Sequence, residues 1–249
     1  TNPTDVFDAI ENCDYVFHLA AIADLDFARD NVQQVMDVNI QGTYLMARAC
    51  AKRKIPLSFA STACVYGNTP NHPSNEESLC VPTEVYAASK MVGEDIVKSC
   101  KGLLWNILRF GTTYGPQMRN ALAIYIFIKQ ALEKKLLTIH GSGKQTRCVI
   151  YIDDMTTALA KILENDILGE TLNISTDEEL SIIQIADMIL EMTGNQKGNF
   201  NYIADRPGQI IKEQLDISRA KKLLNWSPEY RFSEGLKETV RWVQDSIRV

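Results

Sequence analysis

Tyr15–Ala21, YVFHLAA, is the stretch on which the fold turns. It is mostly apolar with no regular polar alternation, the pattern of a strand covered on both faces by crossover helices. A parallel strand needs a long connection to its neighbour. Residues 31–53 supply one, with Val32, Val35, Met36, Met46, Ala47 and Cys50 at helical spacing. Pro56 then introduces a second strand, Leu57–Ala60, which ends in the polar Ser61 and Thr62. A helix over 83–100, a strand over 104–110 and a helix over 120–134 continue the alternation, predicting an α/β fold with a mainly parallel sheet.

Farther out the pattern shortens. Strands Val149–Ile152 and Thr171–Ile174 alternate with helices Asp153–Leu163 and Ser181–Met192, so a smaller lobe is expected. The chain has 249 residues, about 1.7 typical domain lengths, and divides on this reading into residues 1–140 and 141–249, the latter with segments crossing back. Asp153 is placed to cap its helix, with Met155, Leu159 and Ile162 as the buried stripe. The last helix, Ser233–Ile247, turns Leu236, Val240, Val243 and Ile247 to one face, and Trp226 and Trp242 add aromatic core.

Composition narrows the function classes. Lys and Arg number 26 against 31 Asp and Glu, a formal charge of -5, so binding to nucleic acid lacks its electrostatic driver. Cys13, Cys50, Cys64, Cys80, Cys100 and Cys148 show no zinc spacing and fit reduced thiols in a cytoplasmic protein. His18, His72 and His140 are too scattered for a metal centre. The first residues carry no secretory signal and no apolar run reaches membrane length, so no membrane partner is expected.

Tyr86 and Lys90 stand i and i+4 in YAASK, on one helix face. A phenol acts as general base only when its pKa, about 10, is lowered, and an adjacent ammonium favours the phenolate. Thr62, at the end of a buried strand, is placed to offer a hydroxyl to the same reacting oxygen, with Ser61 as its rival. The plain alternative is an ordinary helix-face contact. The loop from Gly67 to Pro82, with Pro70, Pro73 and Pro82, is long enough to need a reason: an active-site rim or a surface excursion.

These pieces occur in a telling order. HLAA (His18–Ala21), VNIQGT with Asn39 and Gly42, STACVYG (Ser61–Gly67), YAASK (Tyr86–Lys90), LRFGTTYGP (Leu108–Pro116), HGSGKQTR (His140–Arg147), YIDD (Tyr151–Asp154) and RPGQ (Arg206–Gln209) follow one another along the chain. Together they resemble the extended short-chain dehydrogenase/reductase superfamily, in its NAD-dependent nucleotide-sugar epimerase/dehydratase branch. The resemblance implies a Rossmann-like doubly wound sheet, with residues 1–140 the NAD-binding domain and 141–249 mainly a substrate-binding lobe.

It further implies roles for named residues. Tyr86 would be the catalytic base, Lys90 the partner of the nicotinamide ribose, and Thr62 the holder of the sugar hydroxyl. NAD contacts fall at Ala20, Ala21, Asn39, Ser61, Tyr86, Lys90 and Phe110. Asn39, costly inside a helix, could instead merely satisfy backbone groups between packed elements. Arg147 and Arg206 would grip a diphosphate with their rigid donor forks, and Thr112 would touch substrate. A homodimer through helices 31–53 and 83–100 is also implied. No glycine precedes Gly42, so the family's glycine-rich pyrophosphate turn is missing. About 50 to 60 upstream family residues, with the first βαβ unit, are expected to lie outside this polypeptide, which by itself should hold NAD poorly.

The branch oxidises a sugar hydroxyl to a ketone before its reactions diverge. The 4,6-dehydratases carry Asp-Glu directly after the catalytic threonine, where Ala63 and Cys64 stand here, and decarboxylases generally have Glu in place of Cys64. That points to a UDP-hexose 4-epimerase acting through a transient 4-keto sugar, although Thr112 replaces an asparagine common in hexose epimerases. Cys64 admits a GDP-sugar epimerase-reductase, or lies as a small buried thiol behind the strand. Other sugar-nucleotide oxidoreductases and a noncatalytic sugar-nucleotide-binding protein are the remaining alternatives.

Overall fold

A computed structural model describes residues 2–247. The chain forms two compact units. One runs to Phe110 and includes Ile162–Ile174; the other comprises Gly111–Lys161 and the residues from Ser175 onward.

In the first unit the Asn2 side chain accepts from the Thr4 amide and Pro3 opens α1 (Pro3–Ala9). There follow β1 (Val16–His18), α2 (Leu25–Asp30), α3 (Val32–Val35), a π-helical turn (Met36–Gln41) and α4 (Gly42–Arg53). Next come β2 (Leu57–Thr62), a 3-10 turn (Ala63–Tyr66), α5 (Val85–Ser99) and β3 (Trp105–Phe110). All six residues of β2 are buried, as a strand enclosed on both faces requires. Leu57 pairs with Val16 on one side and with Trp105 on the other, both in parallel register. Apolar residues of these elements, among them Cys50, Leu57, Phe59, Val97 and Ile107, form the core.

The strand expected over Tyr15–Ala21 is formed over Val16–His18, with Leu19 and Ala20 past its end, and it pairs with β2. The helix expected over 31–53 runs from Val32 to Arg53 with a π turn set into it, where Gly42 N–H bonds to Asp37 O five residues back.

In the second unit lie β4 (Thr112–Tyr114), α6 (Ala123–Leu132), β5 (Leu137–His140), β6 (Thr146–Tyr151) and α7 (Ile152–Glu164), whose end belongs to the first unit. The first unit also receives β7 (Thr171–Ile174), which pairs in parallel with β3 and completes the sheet order β1-β2-β3-β7. The second unit continues with β8 (Glu179–Ser181), α8 (Ile182–Met192), β9 (Phe200–Ile203), α9 (Ser218–Leu224) and α10 (Phe232–Ile247). β4 pairs with β6, β6 with β8, and β5 with β9. Ser181 and Gln184 close a capping box that starts α8. The mixed α/β class with a parallel sheet is as the sequence predicts.

By packing, the second unit starts at Gly111. Ile124, Phe127, Ile128 and Ala131 of α6 join Tyr114, Leu137, Ile189, Phe232 and Val240 in its core. Asp153 does not cap α7, which begins at Ile152. Its neighbour Asp154 is buried and accepts from the Glu229 and Tyr230 amides at 2.8 and 3.1 Å, tying α7 to the segment before α10. In α10 the buried stripe is Phe232, Leu236, Val240 and Val243, while Ile247 is exposed beyond the core.

Candidate active site

The polar residues buried on α5 define the site. Ala87, Ser89, Lys90, Gly93, Glu94 and Val97 form its buried stripe, which places two charges where an amphipathic helix puts apolar groups. Gly93 makes this face possible: a Cβ there would lie 2.5 Å from Phe59 Cζ on β2. Lys90 lies one turn after Tyr86, and its Nζ is 4.4 Å from the Phe59 ring centroid, a cation–π contact. Burial pushes the Lys90 ammonium down to about 8, against the opposing attraction of Glu94. A buried ammonium one turn from Tyr86 fits a ligand that brings hydroxyl acceptors, as the ribose of NAD does.

The π turn has its own use. Asn39, buried at its centre, accepts from Ile22 N at 2.8 Å and donates to Ile22 O and Ser89 Oγ at 2.9 Å each. The side chain thus fixes the chain just past Ala20 and Ala21, and Ser89 Oγ donates to Tyr86 O at 2.7 Å. Thr43 Oγ1 donates to Asn39 O at 2.6 Å, so it accepts from His18 Nε2 at 3.0 Å, which sets the histidine tautomer. Burial, then the Lys90 charge, pushes His18 down to about 4. The imidazole is therefore neutral at pH 7.

Ser61 and Thr62 do different things. Ser61 Oγ donates to Glu94 Oε1 at 2.5 Å, whereas Thr62 Oγ1 accepts from Cys64 N at 3.2 Å, starting the 3-10 turn and leaving its own proton to donate. Tyr86 is half-buried near the start of α5, which packs against β2 and the 3-10 turn. Phe110 is half-buried at the end of β3.

The long loop is a built part of this unit. Glu76 Oε1 accepts from Asn173 N at 2.8 Å, Ser74 O from Asn173 Nδ2 at 3.1 Å, and Glu76 O from Arg109 Nη1 at 3.0 Å. Its two ends meet at Gly67, where φ is +58° and a Cβ would collide with Val81 O. The loop is thus held to β3 and to Asn173, while Leu79 and Val81 on it stay exposed.

Thr112, Arg147 and Arg206 belong to the second unit. Thr112 begins β4 opposite Val149. Arg147 donates from Nη1 to Thr146 O and Ile210 O at 2.7 and 2.9 Å, drawing the segment that carries Arg206 towards β6. Both arginines are half-buried. Sequence reasoning missed Glu94 and Arg109; the available signal was a charge at a core position, Glu94 in α5 and Arg109 inside the apolar β3.

A parallel sheet, a Tyr86–Lys90 helix packed on it and a threonine at the adjoining strand end define a short-chain dehydrogenase/reductase of the extended type. The sequence profile of the NAD dependent epimerase/dehydratase family matches residues 1–175, and the chain belongs to that family. It is 33% identical to an uncharacterized UDP-glucose epimerase of Bacillus subtilis, over 96% of this chain and 77% of that protein. It is 30% identical to a UDP-N-acetyl-alpha-D-glucosaminuronate decarboxylase of Bacillus cytotoxicus, over 93% and 77%. The crystal structure of UDP-glucuronic acid 4-epimerase from Bacillus cereus, with UDP-glucuronic acid and NAD, matches with a TM-score of 0.91 at 32% identity, covering 99% of this chain and 81% of that one. Among the described residues no helix is long and apolar enough to cross a membrane, and no side-chain cluster could hold a metal ion.

Proposed function

We propose that this protein is an NAD-dependent nucleotide-diphosphate-sugar 4-epimerase acting on a UDP-hexose through a transient 4-keto sugar. The observation that carries the reading is the pair Ala63–Cys64, at the start of the 3-10 turn that Thr62 caps. No carboxyl follows the strand-end hydroxyl there to drive loss of water or carbon dioxide.

NAD, when bound, would supply a hydride acceptor and, once reduced, a hydride donor. The remaining work falls to the chain. Tyr86 Oη takes the proton of the sugar 4-hydroxyl and later gives it back. Thr62 holds the same oxygen. Lys90 would hold the ribose hydroxyls, with Ala20, Ala21, Asn39 and Phe110 on the cofactor side. Ser61, whose Oγ donates a hydrogen bond to Glu94, would support the cofactor side. Arg147 and Arg206 would bind the diphosphate, and Thr112 the substrate. In this scheme the first unit is the NAD-binding domain and the second mainly the substrate lobe.

The exposed Val32, Met36, Tyr44 and Val92 on α3, the π turn, α4 and α5 support a homodimer through these helices, and the free thiols support a cytoplasmic location. Cys64, half-buried and two residues after Thr62, favours epimerisation at C3 and C5 as the second reading.

The test is the NAD-loaded protein, expressed from its complete reading frame, with UDP-, dTDP-, CDP- and GDP-sugars. Product stereochemistry and NADH are followed together. A C4 epimer without lasting NADH is expected; release of water or carbon dioxide, or inversion only at C3 and C5, rejects the proposal.

A further inference from the structure

Glu94 and Arg109 are almost completely buried, yet the scheme above gives them no task. Arg109 places Nε 3.0 Å from Glu94 Oε1 and Nη2 2.7 Å from Oε2, a bidentate fork. Its Nη1 donates to Tyr66 Oη and Glu76 O, each at 3.0 Å. Tyr66 Oη in turn donates to Asn173 Oδ1 at 2.7 Å. Glu94 Oε1 also accepts from Ser61 Oγ, and Lys98 Nζ lies 3.6 Å from Oε2. One carboxylate thus links α5 to β2 and, through the guanidinium, to β3, the 3-10 turn and the long loop. Burial raises the Glu94 carboxyl, but the Arg109 hydrogen bonds and charge outweigh it and hold it below its ordinary value. The pair is ionised.

A buried ion pair is a poor source of net stability compared with packed apolar groups of the same volume. What it supplies is direction, because a fork of short bonds tolerates one arrangement. Ser61 immediately precedes Thr62, and Glu94 lies one turn beyond Lys90 and two beyond Tyr86. We propose that Glu94 is a positioning residue: by holding Ser61 Oγ it sets the end of β2, and with it the Thr62 hydroxyl, against the helix that carries Tyr86 and Lys90. The inference rests on the catalytic roles proposed above.

Ser61→Ala removes one oxygen and leaves the Arg109–Glu94 fork in place. With the NAD-loaded protein and UDP-glucose, UDP-glucuronic acid, dTDP-glucose and GDP-mannose as probes, the best-turned-over sugar gives kcat and KM. Ser61→Ala is expected to lower kcat about tenfold to a hundredfold, the scale of a sub-ångström to ångström misplacement, while KM changes less than about threefold. Glu94→Gln should act likewise, and the double variant should be no slower than the slower single variant, since the two side chains share one interaction that sets kcat. If Ser61→Ala keeps kcat within twofold while Tyr86→Phe abolishes turnover, the Glu94 link is packing alone and the inference is overturned. If Tyr86→Phe itself keeps turnover, the underlying site assignment fails instead.

Discussion

Lys90→Met should make the protein more stable and less active at once. The side chain is 2% exposed and its ammonium is pushed down to about 8 by burial, from an ordinary 10.5. At ~1.4 kcal/mol per pH unit, the buried charge costs about 3 kcal/mol at pH 7. Methionine of similar length removes that cost and still packs on Phe59, so the cofactor-free protein should gain up to about 3 kcal/mol, or roughly 6–12 °C in melting temperature for a chain of this size. The sign with pH follows from the lowered folded-state value. Below pH 8 both folded and unfolded states carry the proton and the cost is full; between about 8 and 10.5 the folded state has released it and the cost shrinks; above that range it is gone. Urea denaturation of both proteins at several pH values between 7 and 10.5 measures this directly. Turnover should meanwhile fall at least about a hundredfold, as expected when a charge poised at the reacting groups is removed. A variant less stable than its parent at pH 7, or an advantage that does not change with pH, would refute the reasoning.

Two further outcomes are expected. Gly93→Ala brings a methyl to 2.5 Å from Phe59 Cζ, so thermal denaturation should show a loss of about 1–3 kcal/mol and turnover should drop as α5 is forced off β2; unchanged stability would remove the close approach from the argument. His18, pushed down to about 4 by burial and then by the Lys90 charge, should stay neutral with its proton on Nε2 from pH 7.5 to 5 by imidazole nitrogen NMR; a charged ring at pH 6 would contradict the effect of burial, and a neutral ring protonated on Nδ1 would contradict the donation to Thr43. Because its folded-state value lies below the unfolded one, its contribution to stability is present above about pH 6.5 and drains away as pH falls towards 4.

Much of this protein is written locally. Apolar runs make Leu57–Thr62 and Trp105–Phe110 strands in any context that buries them, and the 3.6-residue period puts Tyr86 and Lys90 on one face without reference to the rest of the chain. Ala63 and Cys64 after Thr62, on which the choice of reaction rests, are likewise letters in order. Other features depend on residues far apart in sequence. The Asn39 grip on Ile22, the histidine tautomer, and the division of labour between Ser61 and Thr62 are decided by partners on other elements. So are the burial of Glu94 beside Arg109, the anchoring of the long loop on Asn173, and the placing of α6 in the second unit. Local periodicity reports which face of a segment is buried, but not which segment covers it, and hydrogen bonds between buried polar groups exist only once the covering segment is in place.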